Sequence, residues 1–94
     1  MTQMLSPEAA RTALETLDAM LEKMIDHQRA KVLRLAREAV PNISPEDVRN
    51  PNDYLELKAH PTFDYEDGIL AGMIAAQIAV RAELRAVFMP AGRP

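Results

Sequence analysis

The sequence has no cysteine and no tryptophan, and its 94 residues include only two tyrosines, two phenylalanines and three glycines. Without cysteine, neither a disulfide framework nor a zinc site with thiolate ligands can hold the fold together. The shortage of aromatic side chains leaves Leu, Ile, Val, Ala and Met to form the core. Because 48% of the residues are hydrophobic, we expect a folded chain rather than a disordered one.

The sequence also lacks an excess of basic residues. Its formal charge is −3 and its pI is about 5.3, whereas nucleic-acid-binding proteins usually carry extra Lys and Arg to neutralise phosphates. The first residues show no basic stretch followed by an apolar run, which a signal peptide would have. The longest uncharged run covers residues 68–80, and a membrane-spanning helix needs about 20 apolar residues. We therefore expect a cytoplasmic protein that binds neither nucleic acid nor membrane.

What the sequence does contain is helical periodicity, and it predicts a long first helix over about residues 7–39. Ser6 suits the N-cap and Pro7 the first helical position, and Pro41 stops the helix because a residue before proline avoids the α region. No Gly or Pro interrupts the segment. The predicted contact seam repeats every three or four residues: Leu14, Leu17, Leu21, Met24, Gln28, Val32, Leu35 and Ala39.

The rest of the chain predicts a connector over residues 40–63, a second long helix over about 64–88 and a flexible tail over 89–94. Four of the seven prolines lie in the connector. Ser44-Pro45-Glu46 repeats the start signal of the first helix, so we expect one or two short helical turns there. The chain is thus a single all-α domain built as a helical hairpin with a short-helix connector.

The second helix carries more apolar surface than one partner helix can cover. Its contact seam contains Leu70, Met73, Gln77, Val80, Leu84 and Val87. Further apolar or small residues lie outside this seam, and glycine inside a helix costs about 1 kcal/mol relative to alanine unless packing requires it. We therefore predict a homodimeric, four-helix-type bundle. Its interface is expected to contain Gly68, Ile69, Gly72, Ala76 and Ala79.

Two glutamines, Gln28 and Gln77, occur within the predicted seams. An unpaired buried amide costs about 1–3 kcal/mol, so we expect the two side chains to be neighbours, bonded to each other or across the dimer axis. They could fix the register of the helices, as a buried polar residue does in coiled coils, or they could contact a polar ligand.

Two acidic clusters are candidates for metal binding, and neither predicts a metal site. Asp18, Glu22 and Asp26 follow one another at four-residue steps, but the Glu-x-x-His pattern of bundle metal sites is absent. We expect this row to lie on a solvated outer face. The second cluster surrounds His60 at the start of the second helix, where carboxylates also favour the positive end of the helix dipole. We predict no metal and no cofactor.

A third pattern joins Arg11, the pair Leu17-Asp18, Arg29 and the step Glu46-x-x-Arg49. In this respect the chain resembles the all-helical chorismate mutases. The resemblance implies an intertwined homodimer that holds a dianionic substrate between arginines, with Arg11, Arg29 and Arg49 as the anion-binding residues. The chain departs from that pattern at Ala39, where the family has a lysine, and in its proline-broken middle segment. Gln77 also precedes the position of the family's glutamine.

Two functions remain open from the sequence. The first is a small non-enzymatic interaction or regulatory protein that acts through protein–protein contacts, with itself and with another protein as partners. Its partner surface is expected around the connector and the start of the second helix, because irregular segments on a rigid scaffold often carry recognition. The candidate residues are Tyr54, His60, Phe63 and Tyr65. The alternative is a small homodimeric helical enzyme with an inter-helix anion-binding pocket.

Overall fold

The computed structural model describes residues 6–88, and all regular secondary structure in this range is helical, as predicted. The helices are α1 (Pro7–Ala39), α2 (Pro45–Val48), α3 (Leu55–Ala59) and α4 (Phe63–Phe88), with a 3₁₀ turn at Pro51–Asp53 between α2 and α3. The predicted tail at 89–94 lies outside the described residues.

The helix starts follow the predicted signals. The Ser6 hydroxyl accepts a hydrogen bond from the Ala9 backbone N–H at 3.1 Å, and Ser44 does the same for Asp47 at 3.1 Å. Each serine thereby satisfies one of the N–H groups that the first turn of a helix leaves without a partner. Both helices then begin on a proline, which is pre-organised for that position.

The two long helices form an antiparallel hairpin, and the connector folds against one end of it. At this end a cluster of buried residues joins all four helices: Val32, Ala36, Ile43, Val48, Leu57 and Phe63. The backbone carbonyl of Ile43 also accepts a hydrogen bond from Arg37 Nε at 3.2 Å, which ties the connector to α1. We call this group of buried residues the connector-end core.

The opposite end of the hairpin is built differently. Among residues 6–24 and 64–86, Gln77 is the one buried side chain. α1 is about 50 Å long at 1.5 Å per residue, and the radius of gyration is 18.3 Å, against about 12 Å for a globular domain of this length. The chain is therefore elongated, and much of the hairpin rests on contact between α1 and α4 alone.

The contact seam of α1 differs from the predicted one. Ile25 is buried, whereas Leu17 and Met24, which the sequence placed in the seam, are exposed. The steps Leu21, Ile25, Gln28 and Val32 fit the three-and-four spacing as well as the predicted set does. Only the position of α4 distinguishes the two registers, and the spacing of residues within α1 carries no information about that position.

Candidate functional site

Polar bonds between α1 and α4 hold the hairpin together along its length. Gln28 Nε2 donates to the Glu66 backbone carbonyl at 2.9 Å and to Glu66 Oε1 at 2.8 Å. Lys31 Nζ forms an ion pair with Glu66 Oε2 at 3.1 Å. The hydrogen bond from Gln28, followed by that from Lys31, lowers the pKa of the Glu66 carboxyl group below its ordinary value. Glu66 is thus ionised and fully engaged at neutral pH.

A second group of polar bonds lies further from the connector. Gln77 Nε2 donates to Glu22 Oε1 at 2.7 Å, and Arg81 bonds Asp18 Oδ1 and Glu22 Oε1, each at 3.0 Å. The bond to Asp18 is the main cause that raises the pKa of Arg81 above that of a free arginine. Asp18 and Glu22 therefore face α4, and the prediction that they lie on a solvated outer face was wrong. Asp26 is exposed, as predicted.

Gln28 and Gln77 do not bond each other within residues 6–88. Each donates instead to a glutamate on the facing helix, so the prediction that they pair within one chain was wrong. A pair across the dimer axis stays a prediction. Neither glutamate was predicted as a partner. Glu66 was assigned to the positive end of the helix dipole, and Glu22 to a solvated face. These amides are used in holding α1 against α4, and we assign them no ligand.

Two of the three arginines predicted to bind an anion come together. Arg29 and Arg49 line one groove between α1, α2 and α4, whereas Arg11 lies about 27 Å from Arg29 along α1 and is not among its lining residues. The remaining walls are mostly apolar: Val32, Leu33, Pro45, Val48, Leu70, Ala71 and Ile74. Asp67 completes the lining, a position that no sequence signal indicated.

The surroundings of Asp67 favour the protonated form of its carboxyl group. Burial raises its pKa above the ordinary value, and the neighbouring Asp64 adds to this effect, while Lys58 opposes it. No group of three or more His, Asp or Glu side chains within residues 6–88 is arranged to hold a metal ion. The groove therefore offers two guanidinium groups and one carboxyl group on an apolar background.

The other side of the hairpin carries an exposed apolar surface. Met20, Met24 and Met73 line a shallow depression there, with Lys23, His27 and Gln28 at its edge. Leu17 lies one turn from Met20, and Ile69 and Ala76 lie one turn on either side of Met73, so helical periodicity places all three on the same side. We call Leu17, Met20, Met24, Ile69, Met73 and Ala76 the methionine face. Leu17, Met20 and Met24 are 43%, 54% and 43% exposed, so three large apolar side chains lie exposed next to one another on α1.

Of the residues predicted for the dimer interface, Ile69 and Ala76 belong to the methionine face, and Gly68, Gly72 and Ala79 lie outside it on α4. Gly68, Gly72, Ala76 and Ala79 are exposed, and Ile69 is partly exposed. A Cβ atom added at Gly68 or Gly72 would meet no other atom within 4 Å. Packing within the described chain therefore does not require glycine at either position.

The aromatic residues of the predicted partner surface separate into different environments. Phe63 is 0% exposed and belongs to the connector-end core, so its assignment to a partner surface was wrong. Tyr54 packs against the same core, and burial together with the carboxylate of Asp47 raises the pKa of its phenol. Tyr65 is 69% exposed and stays available to a partner.

His60 fastens the end of α3 rather than presenting a free ring. Its Nε2 atom lies 2.8 Å from Glu38 Oε1, and its Nδ1 atom accepts a hydrogen bond from the Thr62 backbone N–H at 3.2 Å. An accepting Nδ1 leaves the proton on Nε2, which can then donate to Glu38. His60 thereby connects α1 to the turn that precedes α4.

No protein family, curated protein or solved structure matches this chain. Within residues 6–88, no helix combines the length and apolar content that crossing a bilayer requires. The two surfaces of the hairpin that bear on function are the methionine face and the groove.

Proposed function

We propose that this chain is a small non-enzymatic interaction protein that works as a homodimer, with the methionine face as the dimer interface. Two observations support the proposal. Residues 6–24 and 64–86 contain no buried apolar side chain, and the apolar side chains Leu17, Met20 and Met24 of the methionine face are exposed. A short chain buries too little surface alone, and association is a common remedy.

The shape of this surface favours a second copy as the occupant. On α1 it presents long side chains, Leu17, Met20 and Met24, whereas α4 beside it presents the small residues Gly72 and Ala76. In a two-fold contact, the same patch is used by both subunits, so α1 of one subunit can lie against α4 of the other. Long side chains then meet small ones, and methionine adapts well to such contacts.

Sedimentation equilibrium at micromolar concentration tests this proposal. We expect a mass of twice 10.5 kDa, about 21 kDa. Met24→Glu places a charge in the interface and is expected to give a monomer that keeps its helical circular dichroism. Ile78→Glu is the matched control, because Ile78 is also exposed, at 61%, but lies one turn from Ile74 on the groove side.

Two outcomes would contradict the proposal. A wild-type monomer with a cooperative melting transition would show that the hairpin does not need a partner. A monomeric Ile78→Glu variant together with a dimeric Met24→Glu variant would show that the interface lies on the groove side of the hairpin.

One observation favours the alternative of a small enzyme with an anion-binding pocket, namely that Arg29 and Arg49 line the same groove. Acid–base or nucleophilic chemistry also needs reactive groups, and Asp67 is the one acidic residue among the groove's lining residues. The resemblance is tested by incubating the protein with chorismate and following the absorbance of chorismate over time. We expect no turnover above the uncatalysed rate.

A further inference from the structure

The groove is a preformed feature of the fold. It has a volume of about 490 Å³, and pockets for small ligands usually measure about 300–1,000 Å³. Val32 and Val48 belong both to its lining and to the connector-end core. Because the core holds these two side chains in place, the apolar part of the groove exists before any ligand binds.

The charged residues of the groove are available to a ligand. Within residues 6–88, the guanidinium groups of Arg29 and Arg49 form no ion pair or hydrogen bond with another residue. Arginine binds carboxylates well because its planar group can donate two parallel hydrogen bonds. Asp67 offsets one of the two positive charges, so the lining carries a formal net charge of +1.

We propose that this groove binds a small molecule with a singly charged anionic head group and an apolar body, such as a monocarboxylate with an aliphatic chain. The head group lies between Arg29 and Arg49, and the apolar body covers Val32, Leu70 and Ile74. A monoanion matches the formal charge of +1 on the lining, whereas a dianion would leave an excess negative charge in the groove. The methionine face has no part in this site, so the inference is independent of the proposed dimer.

Decanoate is a suitable probe, with decanol and decyltrimethylammonium as the neutral and cationic counterparts. Methyl chemical shifts measured by NMR, at probe concentrations below micelle formation, report both affinity and location. We expect decanoate to shift the methyl signals of Val32, Leu33 and Ile74 and to bind at least tenfold more tightly than decanol, with decyltrimethylammonium weakest.

Variants of the exposed charged residues test the head-group contacts without disturbing the core. Arg29→Gln and Arg49→Gln are each expected to weaken decanoate binding about tenfold and to leave decanol binding unchanged. Arg34→Gln is the matched control, because Arg34 is an exposed arginine of α1 outside the lining and its loss should change nothing. Asp67→Asn should strengthen decanoate binding several-fold by removing the opposing charge.

Three results would overturn the proposal. Equal affinity for decanoate and decanol would show that the arginines contribute nothing. Shifts confined to the signals of Met20, Met24 and Met73 would place the probe on the methionine face. Groove methyl signals that change on dilution of both the wild type and the Met24→Glu variant would show that a second copy of the chain occupies the groove.

Discussion

Three polar contacts between the long helices converge on Glu66. Its side chain accepts from Gln28 and pairs with Lys31, and its backbone carbonyl accepts from Gln28 as well. These contacts lower the pKa of the Glu66 carboxyl group. They therefore stabilise the fold at any pH above the pKa of the unfolded chain, which is near 4.5. This stabilisation is lost as the pH falls through the lower folded pKa.

Removing the donors of Glu66 should return its pKa towards the ordinary value. We expect Gln28→Leu to raise the pKa more than Lys31→Leu does, because the amide hydrogen bond is the larger cause. An NMR titration of the Glu66 side chain measures both effects. The reverse order would show that the charge of Lys31, rather than the hydrogen bond of Gln28, controls this carboxyl group.

Asp67 contributes to stability with the opposite sign. The pKa of Asp67 is raised in the folded chain, so the folded chain favours the protonated form more than the unfolded chain does. Its favourable contribution is fully present below the unfolded pKa, near 3.8, and is lost as the pH rises through the folded pKa. We therefore expect Asp67→Asn to raise the melting temperature at pH 7 by about 2 °C, and by less at pH 4. A lower melting temperature at pH 7 would contradict this assignment.

At the scale of the elements, the short helix α3 works as an anchor. Leu57 is 0% exposed in the connector-end core, whereas Leu55, two residues earlier in the same helix, is 82% exposed. We expect Leu57→Ala to lower the free energy of unfolding by about 2–5 kcal/mol, and Leu55→Ala to change it by less than about 0.5 kcal/mol. Chemical denaturation of both variants provides the comparison, and equal losses would contradict the position of α3.

The glycines of α4 can be replaced to test this helix without a packing penalty. Because a Cβ atom at Gly72 would meet open space, Gly72→Ala should stabilise the helix by about 0.5–1 kcal/mol. Gly72 is exposed, so we expect Gly72→Leu to disrupt the dimer while helical content is retained. Sedimentation separates the two effects. A Gly72→Leu protein that keeps the dimer mass would place Gly72 outside the interface.

The predictability of each element depended on whether its signals are local. The bounds of α1 followed from Ser6, Pro7 and Pro41, which act on the backbone next to them. The choice between Met24 and Ile25 in the seam did not, because both continue the same spacing and only the facing helix distinguishes them. The groove likewise joins Arg29, Arg49 and Asp67 from three parts of the chain, and Asp67 could not be placed before α4 was positioned against α1.

At the scale of the whole molecule, stability should depend on protein concentration. A dimer that forms only from folded chains gains stability by mass action. We therefore expect the melting temperature of the wild type to rise over a hundredfold increase in concentration, whereas that of the Met24→Glu variant stays constant. Calorimetry at several concentrations measures this, and identical behaviour of the two proteins would contradict the proposed interface.

The concentration of buried side chains at the connector has a consequence for how the hairpin opens. Amide protons near Val32, Ala36 and Phe63 can exchange with solvent only when that packing is lost, whereas those near Leu14 and Leu84 are protected by two facing helices alone. We therefore expect exchange rates that fall steadily from the open end to the connector, so that separation of the helix tips precedes global unfolding. Assembly would slow exchange mainly at the tips, which makes the open end the part of the molecule that reports whether a second subunit is present.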